Sequence, residues 1–141
     1  MLDANHVKIG INVATWKEAI ESAGEILIDV GSCSVEYVRE MIAAVEELGP
    51  YIVITPHVAI AHARPGLQVN RSDMSLVVLD EGVEFGSVGN DPVKLVFAFC
   101  ATDDEGHLQQ LGKLAENLNP ETVTKLSEAG SVEEIIETLG R

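Results

Sequence analysis

Two stretches decide the fold: MSLVVL, Met74 to Leu79, and VKLVFAFCA, Val93 to Ala101. Both are β-branched, aliphatic or aromatic almost throughout. A strand with one wet face alternates apolar and polar residues, whereas a continuous apolar run fits a strand covered on both faces. Two shorter runs, Tyr51 to Ile54 and Val58 to Ile60, flank Thr55-Pro56-His57 and add further strands. Between the long runs, Asp80 to Pro92 carries Gly82, Gly86, Gly89 and Asn90-Asp91-Pro92, and is expected to hold a short hairpin or edge strand.

The covering layers are helical. Thr15 followed by Glu18 reads as a capping box, and Trp16, Ala19, Ile20, Ala23, Leu27 and Val30 then recur as one apolar stripe until Gly31. A second helix starts near Ser34 and is predicted to bury Val38, Met41, Ile42, Val45 and Leu48 before the Gly49-Pro50 stop. After Gly106, a helix carries Leu108, Leu111, Leu114, Ala115 and Leu118 on one face. Asn119-Pro120 then opens a helix to about Leu126, and Ser131 with Glu134 opens another before Ile135, Ile136 and Leu139. The expected order is helices, strands, helices. The expected fold is α/β, a mixed β-sheet of about five strands sandwiched by helices on both faces, with residues 1–141 as one domain.

Composition narrows the function. Hydrophobic residues make up 46% of the 141 and aromatics 4%, so the core is aliphatic. Net charge is -14, from 23 acidic and 9 basic side chains. Nucleic acid is an unfavourable partner for such a surface, because binding it rests on neutralising phosphates with Lys and Arg. An anionic membrane is disfavoured for the same reason, and a basic protein fits better. Cys33 and Cys100 do not make a disulfide framework, and Cys100, ending an apolar run, reads as a small buried hydrophobe. No signal-peptide pattern and no apolar stretch near 18 residues is present, so the expected location is cytoplasmic, without membrane insertion.

Polar chemistry gathers in two places. In Thr55-Pro56-His57-Val58-Ala59-Ile60-Ala61-His62-Ala63-Arg64-Pro65, His62 ends an apolar strand between two alanines, open to a partner. Arg64, two residues on, shares its face if the strand continues and can pair a phosphate bidentately. The second place is Ala101-Thr102-Asp103-Asp104-Glu105-Gly106-His107, where His107 is read as opening a helix whose N-terminus favours anions. If the sheet is parallel here, His62 and His107 can face each other across one cleft.

These residues resemble a known family. The run GPYIVITPHVAIAHARP, Gly49 to Pro65, resembles the active-site segment of enzyme IIA domains of the mannitol–fructose class of bacterial sugar phosphotransferase systems, the ascorbate-like branch most of all. In that family a tyrosine-led strand runs through an apolar-Ala-apolar-Pro-His pattern, and the histidine, aligned with His62, is phosphorylated. The Asp-rich turn, His107, Leu108 and Leu111 look like the family's second histidine and its helix, and Asn90-Asp91-Pro92-Val93 like the entry to its central strand. Ala61 stands where the family usually has proline. No Lys or Arg occurs between Arg39 and Arg64, where some relatives carry a helical arginine.

The resemblance implies a phosphoryl carrier. His62 would take phosphate from phospho-HPr and pass it to an enzyme IIB, with a membrane enzyme IIC downstream; His107 and Arg64 would steady the phosphate, and no cofactor or metal is implied. A regulatory phosphohistidine module of the same fold is the alternative. An enzyme IIB with a cysteine carrier fits poorly, since Cys33 lies between two helices. Strand alternation puts His57 and His62 on opposite faces, and a zinc site from His57, His62, Cys100 and His107 lacks standard ligand spacing. Asp103-Asp104-Glu105 reads as a solvated turn, with acid–base work as its other reading. His6 carries no signal. There is no P-loop or GxGxxG.

Overall fold

The computed structural model describes residues 2–140. Strand β1 (Val7–Ile11) is followed by helices α1 (Trp16–Asp29) and α2 (Val35–Leu48). Then come β2 (Val53–Thr55), β3 (Val58–Ala61), β4 (Asp73–Val83) and β5 (Val93–Cys100). Helices α3 (Asp104–Asn117), α4 (Pro120–Glu128) and α5 (Val132–Thr138) close the chain. The five strands form one mixed sheet in the order β1-β4-β5-β3-β2. β5 is central: it pairs antiparallel with β4 and parallel with β3, so β3 and β5 end side by side.

Alternation along the strands divides the core in two. Ala59, Ala61, Val77, Leu79, Val96, Ala98 and Cys100 pack against α1 and α2. Val58, Ile60, Met74, Leu76, Val78, Leu95, Phe97 and Phe99 pack against α3, α4 and α5. The expected α/β fold, a five-stranded mixed sheet with helices on both faces, is therefore found, and the two continuous runs are two of its three inner strands. Predicted caps also form: Thr15, Asn119 and Ser131 each accept a backbone N–H three residues on.

Several expectations need correction. The fifth strand lies near the N-terminus and not within Asp80 to Pro92, so a short 3₁₀ turn (Ala4–His6) and a strand precede α1. β1 is a half-buried edge strand containing Gly10 at φ +67, which hides it from any pattern of continuous burial. β4 itself runs to Val83, and the loop beyond is gathered by the Asp91 carboxylate, which accepts the N–H groups of Phe85, Gly86 and Ser87. His6 is also more than an ordinary N-terminal residue: its ring bridges the Asp3 and Asp73 carboxylates at 2.7 and 2.9 Å. Leu48, Leu108 and Ala115, expected inside, lie outside; the leucines are 68% and 71% exposed.

Candidate functional site

β3 ends at Ala61, paired with Ala98 of β5, and His62 is the next residue along. β5 ends at Cys100, and three residues further Asp103 caps α3 by accepting the Gly106 N–H at 2.7 Å. The parallel pairing thus brings both segments to one end of the sheet. The rings of His62 and His107 meet edge-on with centroids 5.3 Å apart. His107 in turn lies edge-on to Phe99 at 5.2 Å. His107 does not open its helix, as the spacing suggested. The helix begins at Asp104, and the His107 amide already bonds the Asp103 carbonyl at 3.2 Å. What His107 offers the cleft is its ring.

The two histidines line an open cleft of about 1060 Å³. Its wall includes Glu40, Glu47, Leu48, Tyr51, Arg64 and Asp104. Arg64 reaches this wall from the loop after β3, exposed and without an ion pair or hydrogen bond among the described residues. Among the described residues it is the one cation on a wall that also carries three carboxylates.

Protonation follows from partners. His62 Nδ1 lies 2.7 Å from the Ile60 carbonyl oxygen. A carbonyl only accepts, so Nδ1 carries the proton and the lone pair sits on Nε2. Burial pushes the His62 pKa below its ordinary value; the Ile60 carbonyl opposes that, and nearby His107 adds to it. Burial also lowers the pKa of His107, with Asp104 pulling the other way. Both rings are therefore neutral near pH 7, and His62 presents an unprotonated nitrogen. His107 Nδ1 is buried without a hydrogen-bond partner among the described residues.

His57 lies at the far end of β3. It occupies the β2–β3 turn at φ +74, with Nδ1 on the Pro92 carbonyl at 2.8 Å. The length of β3, roughly 15 Å at about 3.3 Å per residue, separates it from His62. That separation, not alternation of faces, removes it from the cleft and breaks up the suggested zinc set. Cys100 is buried on the opposite core, its Sγ against the Arg71 carbonyl oxygen at 3.4 Å, and Cys33 is buried nearby after α1. Asp103, Asp104 and Glu105 are exposed as expected, but they form the cap and first turn of α3.

Two site residues escaped the sequence reading. Tyr51 stands edge-on to the His62 ring at 5.5 Å and donates its hydroxyl to the His62 carbonyl oxygen at 3.3 Å. Tyr37, fully buried on α2, bonds Ala63 on the other side of His62. Tyr51 carried a faint signal as the residue that leads its apolar run. Tyr37 sits at core spacing beside Val38 and Met41, where an aromatic residue reads only as packing.

A family model described as the phosphoenolpyruvate-dependent sugar phosphotransferase system, EIIA 2, matches residues 1–141. The chain belongs to this EIIA family. EIIA components are phosphotransferases of the sugar-transport system, so this chain is a phosphotransferase component too. Among curated proteins it is similar to the ascorbate-specific EIIA component of Salmonella choleraesuis, at 31% identity over 79% of this chain and 72% of the relative. It is also similar to the mannitol-specific cryptic enzyme IIA component of Escherichia coli K12, at 33% identity over 89% of this chain and 86% of the relative. Among solved structures, the complex of Escherichia coli mannitol IIA with phosphorylated mannitol IIB matches with a TM-score of 0.89 at 30% identity, covering 100% of this chain and 99% of that one. This EIIA chain has no helix among its described residues long and apolar enough to cross a membrane.

Proposed function

We propose that His62 is the phosphoryl acceptor of this EIIA, loaded by phospho-HPr and discharged to an enzyme IIB that serves a membrane enzyme IIC. The carrying observation is the Nδ1 contact with the Ile60 carbonyl, which leaves His62 Nε2 as a neutral nucleophile facing the cleft. The Nε2 lone pair attacks phosphorus as the bond to the donor imidazole breaks, and the donor nitrogen keeps that electron pair. Nδ1 keeps its proton and donates it in a hydrogen bond to the Ile60 carbonyl oxygen, which steadies the positive charge that develops on the His62 ring. His107 and Arg64 are assigned to stabilising the phosphoryl oxygens, His107 through its ring and Arg64 through its uncommitted guanidinium.

The cleft mouth supports a protein donor. Leu48, Tyr51 and Leu108 are exposed around His62, with Glu40, Glu47 and Asp104 beside them. An apolar centre with an acidic rim suits a basic partner that docks over the histidine. The mannitol IIA–IIB complex among its relatives makes an enzyme IIB the natural second partner. Which sugar lies downstream is not written into this site, because the phosphoryl group reaches it only through the partners.

The test is phosphorylation in the presence of enzyme I, HPr and phosphoenolpyruvate. One acid-labile, base-stable phosphoryl group is expected on His62. His62→Ala should take none, His57→Ala should label normally, and His107→Ala should label but transfer more slowly. Normal labelling of His62→Ala would refute the assignment. A wild type that accepts phosphate but passes none to any enzyme IIB would favour the regulatory reading over transport.

A further inference from the structure

The sheet cannot hold His62 by itself. Its last β3–β5 pair is Ala61 with Ala98, so His62 is the first residue past the ladder. On its N-terminal side the ring is tied to Ile60 through Nδ1. On its C-terminal side the chain leaves toward the exposed Arg64. There the exposed Tyr51 hydroxyl reaches the His62 carbonyl oxygen at 3.3 Å, and the buried fastening comes from α2. The Tyr37 hydroxyl accepts the Ala63 N–H at 3.0 Å, and its proton goes to the Phe99 carbonyl oxygen at 2.8 Å, with the Ala63 carbonyl oxygen at 3.2 Å.

Phe99 belongs to the second half of the site, since its ring packs edge-on to His107. One buried hydroxyl therefore joins the residue after the His62 to the residue on which the other histidine rests. We infer that Tyr37 is a positioning residue for phosphoryl transfer, tying the ends of β3 and β5 together so that His62 and His107 keep their mutual geometry. The inference rests on the proposed acceptance of phosphate at His62. Tyr37 touches no phosphate and acts only through the two histidines. Burial holds its phenol well above the ordinary pKa, so it remains a neutral donor and acceptor throughout the range in which the histidines titrate. Removing the hydroxyl leaves a buried N–H and carbonyl oxygens without this partner, and frees the chain next to His62. Errors of about 1 Å in a reacting group cost up to about a hundredfold in rate.

The experiment compares wild type, Tyr37→Phe and Leu126→Ala in single-turnover transfer from phospho-HPr. Leu126 is buried on α4 in the other core and serves as a destabilised control. Wild-type labelling on His62 is the baseline; its absence overturns the functional proposal and with it the positioning role, while the amide-exchange measurement below still tests the tie itself. Given that baseline, Tyr37→Phe should transfer about tenfold or more slowly at saturating phospho-HPr, with half-saturation within twofold of wild type. The ¹⁵N spectrum of its His62 should also lose the clean Nδ1–H tautomer. Leu126→Ala, destabilised at least as much, should transfer at the wild-type rate. A wild-type rate in Tyr37→Phe overturns the inference, as does equal slowing in Leu126→Ala. A third measurement needs no variant: the Ala63 amide of the wild type should be protected from hydrogen exchange, and free exchange there overturns the tie.

Discussion

Gly24→Ala adds one methyl group where α1 crosses α2. A Cβ on Gly24 would stand 2.6 and 2.9 Å from the two γ-carbons of Val38 and 3.3 Å from its β-carbon. Carbon atoms in good contact sit about 3.5–4.0 Å apart, so roughly 1 Å must be found. Rotating Val38 does not supply it, because its β-carbon is itself too near and a helical valine strongly prefers one rotamer. The helices must part instead, in a core that tolerates overpacking at a cost of about 1–3 kcal/mol. The better helix propensity of alanine returns about 1 kcal/mol. Because even the Val38 β-carbon is too close, the overpacking cost falls in the upper part of that range, about 2–3 kcal/mol, and the expected net loss is about 1–2 kcal/mol, read as a lower urea midpoint with an unchanged slope. Val38→Ala removes both clashing carbons, so the double variant should be more stable than the sum of the single effects by about 1 kcal/mol. If Gly24→Ala is neutral or stabilising, propensity outweighs the clash and the reasoning about this crossing fails. The crossing matters to the site because Val38 is the neighbour of Tyr37, and the seat of α2 sets where that phenol reaches.

Three further outcomes are expected. Because burial lowers the pKa of His62, transfer from phospho-HPr should hold steady as pH falls through about 6.5 and decline only below it; a decline centred above 6.5 would contradict a depressed value. For His6, burial alone would lower the pKa, but the Asp3 and Asp73 carboxylates outweigh it and raise the folded value. Its stabilisation is then full below the unfolded pKa of about 6.5 and is lost as pH rises through the folded pKa, so His6→Ala should cost more in urea unfolding at pH 5.5 than at pH 9, and equal costs would remove the ion pairs from the account. With a net charge of -14, the rate of loading by a basic donor should fall as salt rises, and indifference to salt would reduce the charge to solubility.

What could be read in advance follows from the range of each interaction. Caps such as Thr15 and Asn119 are settled within three residues, so those helix starts were legible, whereas α3 was read from beyond Gly106 although Asp103 caps it. Inner strands were legible because burial on both faces leaves only one polar residue in each run, Ser75 in MSLVVL and Lys94 in VKLVFAFCA. β1 was not: VKIGI does alternate, with Val7, Ile9 and Ile11 between Lys8 and Gly10, but three apolar positions over five residues that include a glycine are too short a signal to mark a half-exposed edge strand. Leu48 and Leu108 satisfied a helical stripe yet emerged at the cleft mouth, since periodicity identifies a face without saying where the neighbouring layer stops.

The site divides in the same way. Sequence alone determined which chemical groups were available: a histidine at a strand end, a second one after an acidic cap, and an arginine two residues past the first. Their resemblance to a family pattern named the acceptor. Only the tertiary structure decided that β3 and β5 run parallel and end together, which sets the two rings 5.3 Å apart although 45 positions separate them in the chain. It alone exchanged the helix-start role of His107 for a ring in the cleft, sent His57 to the other end of β3, and brought Tyr37 from α2 to both strand ends. The reason is physical. Propensity, capping and burial pattern act over a few residues and are written locally, whereas a hydrogen bond between distant segments exists only once the sheet order and the packing of α2 have brought its donor and acceptor together.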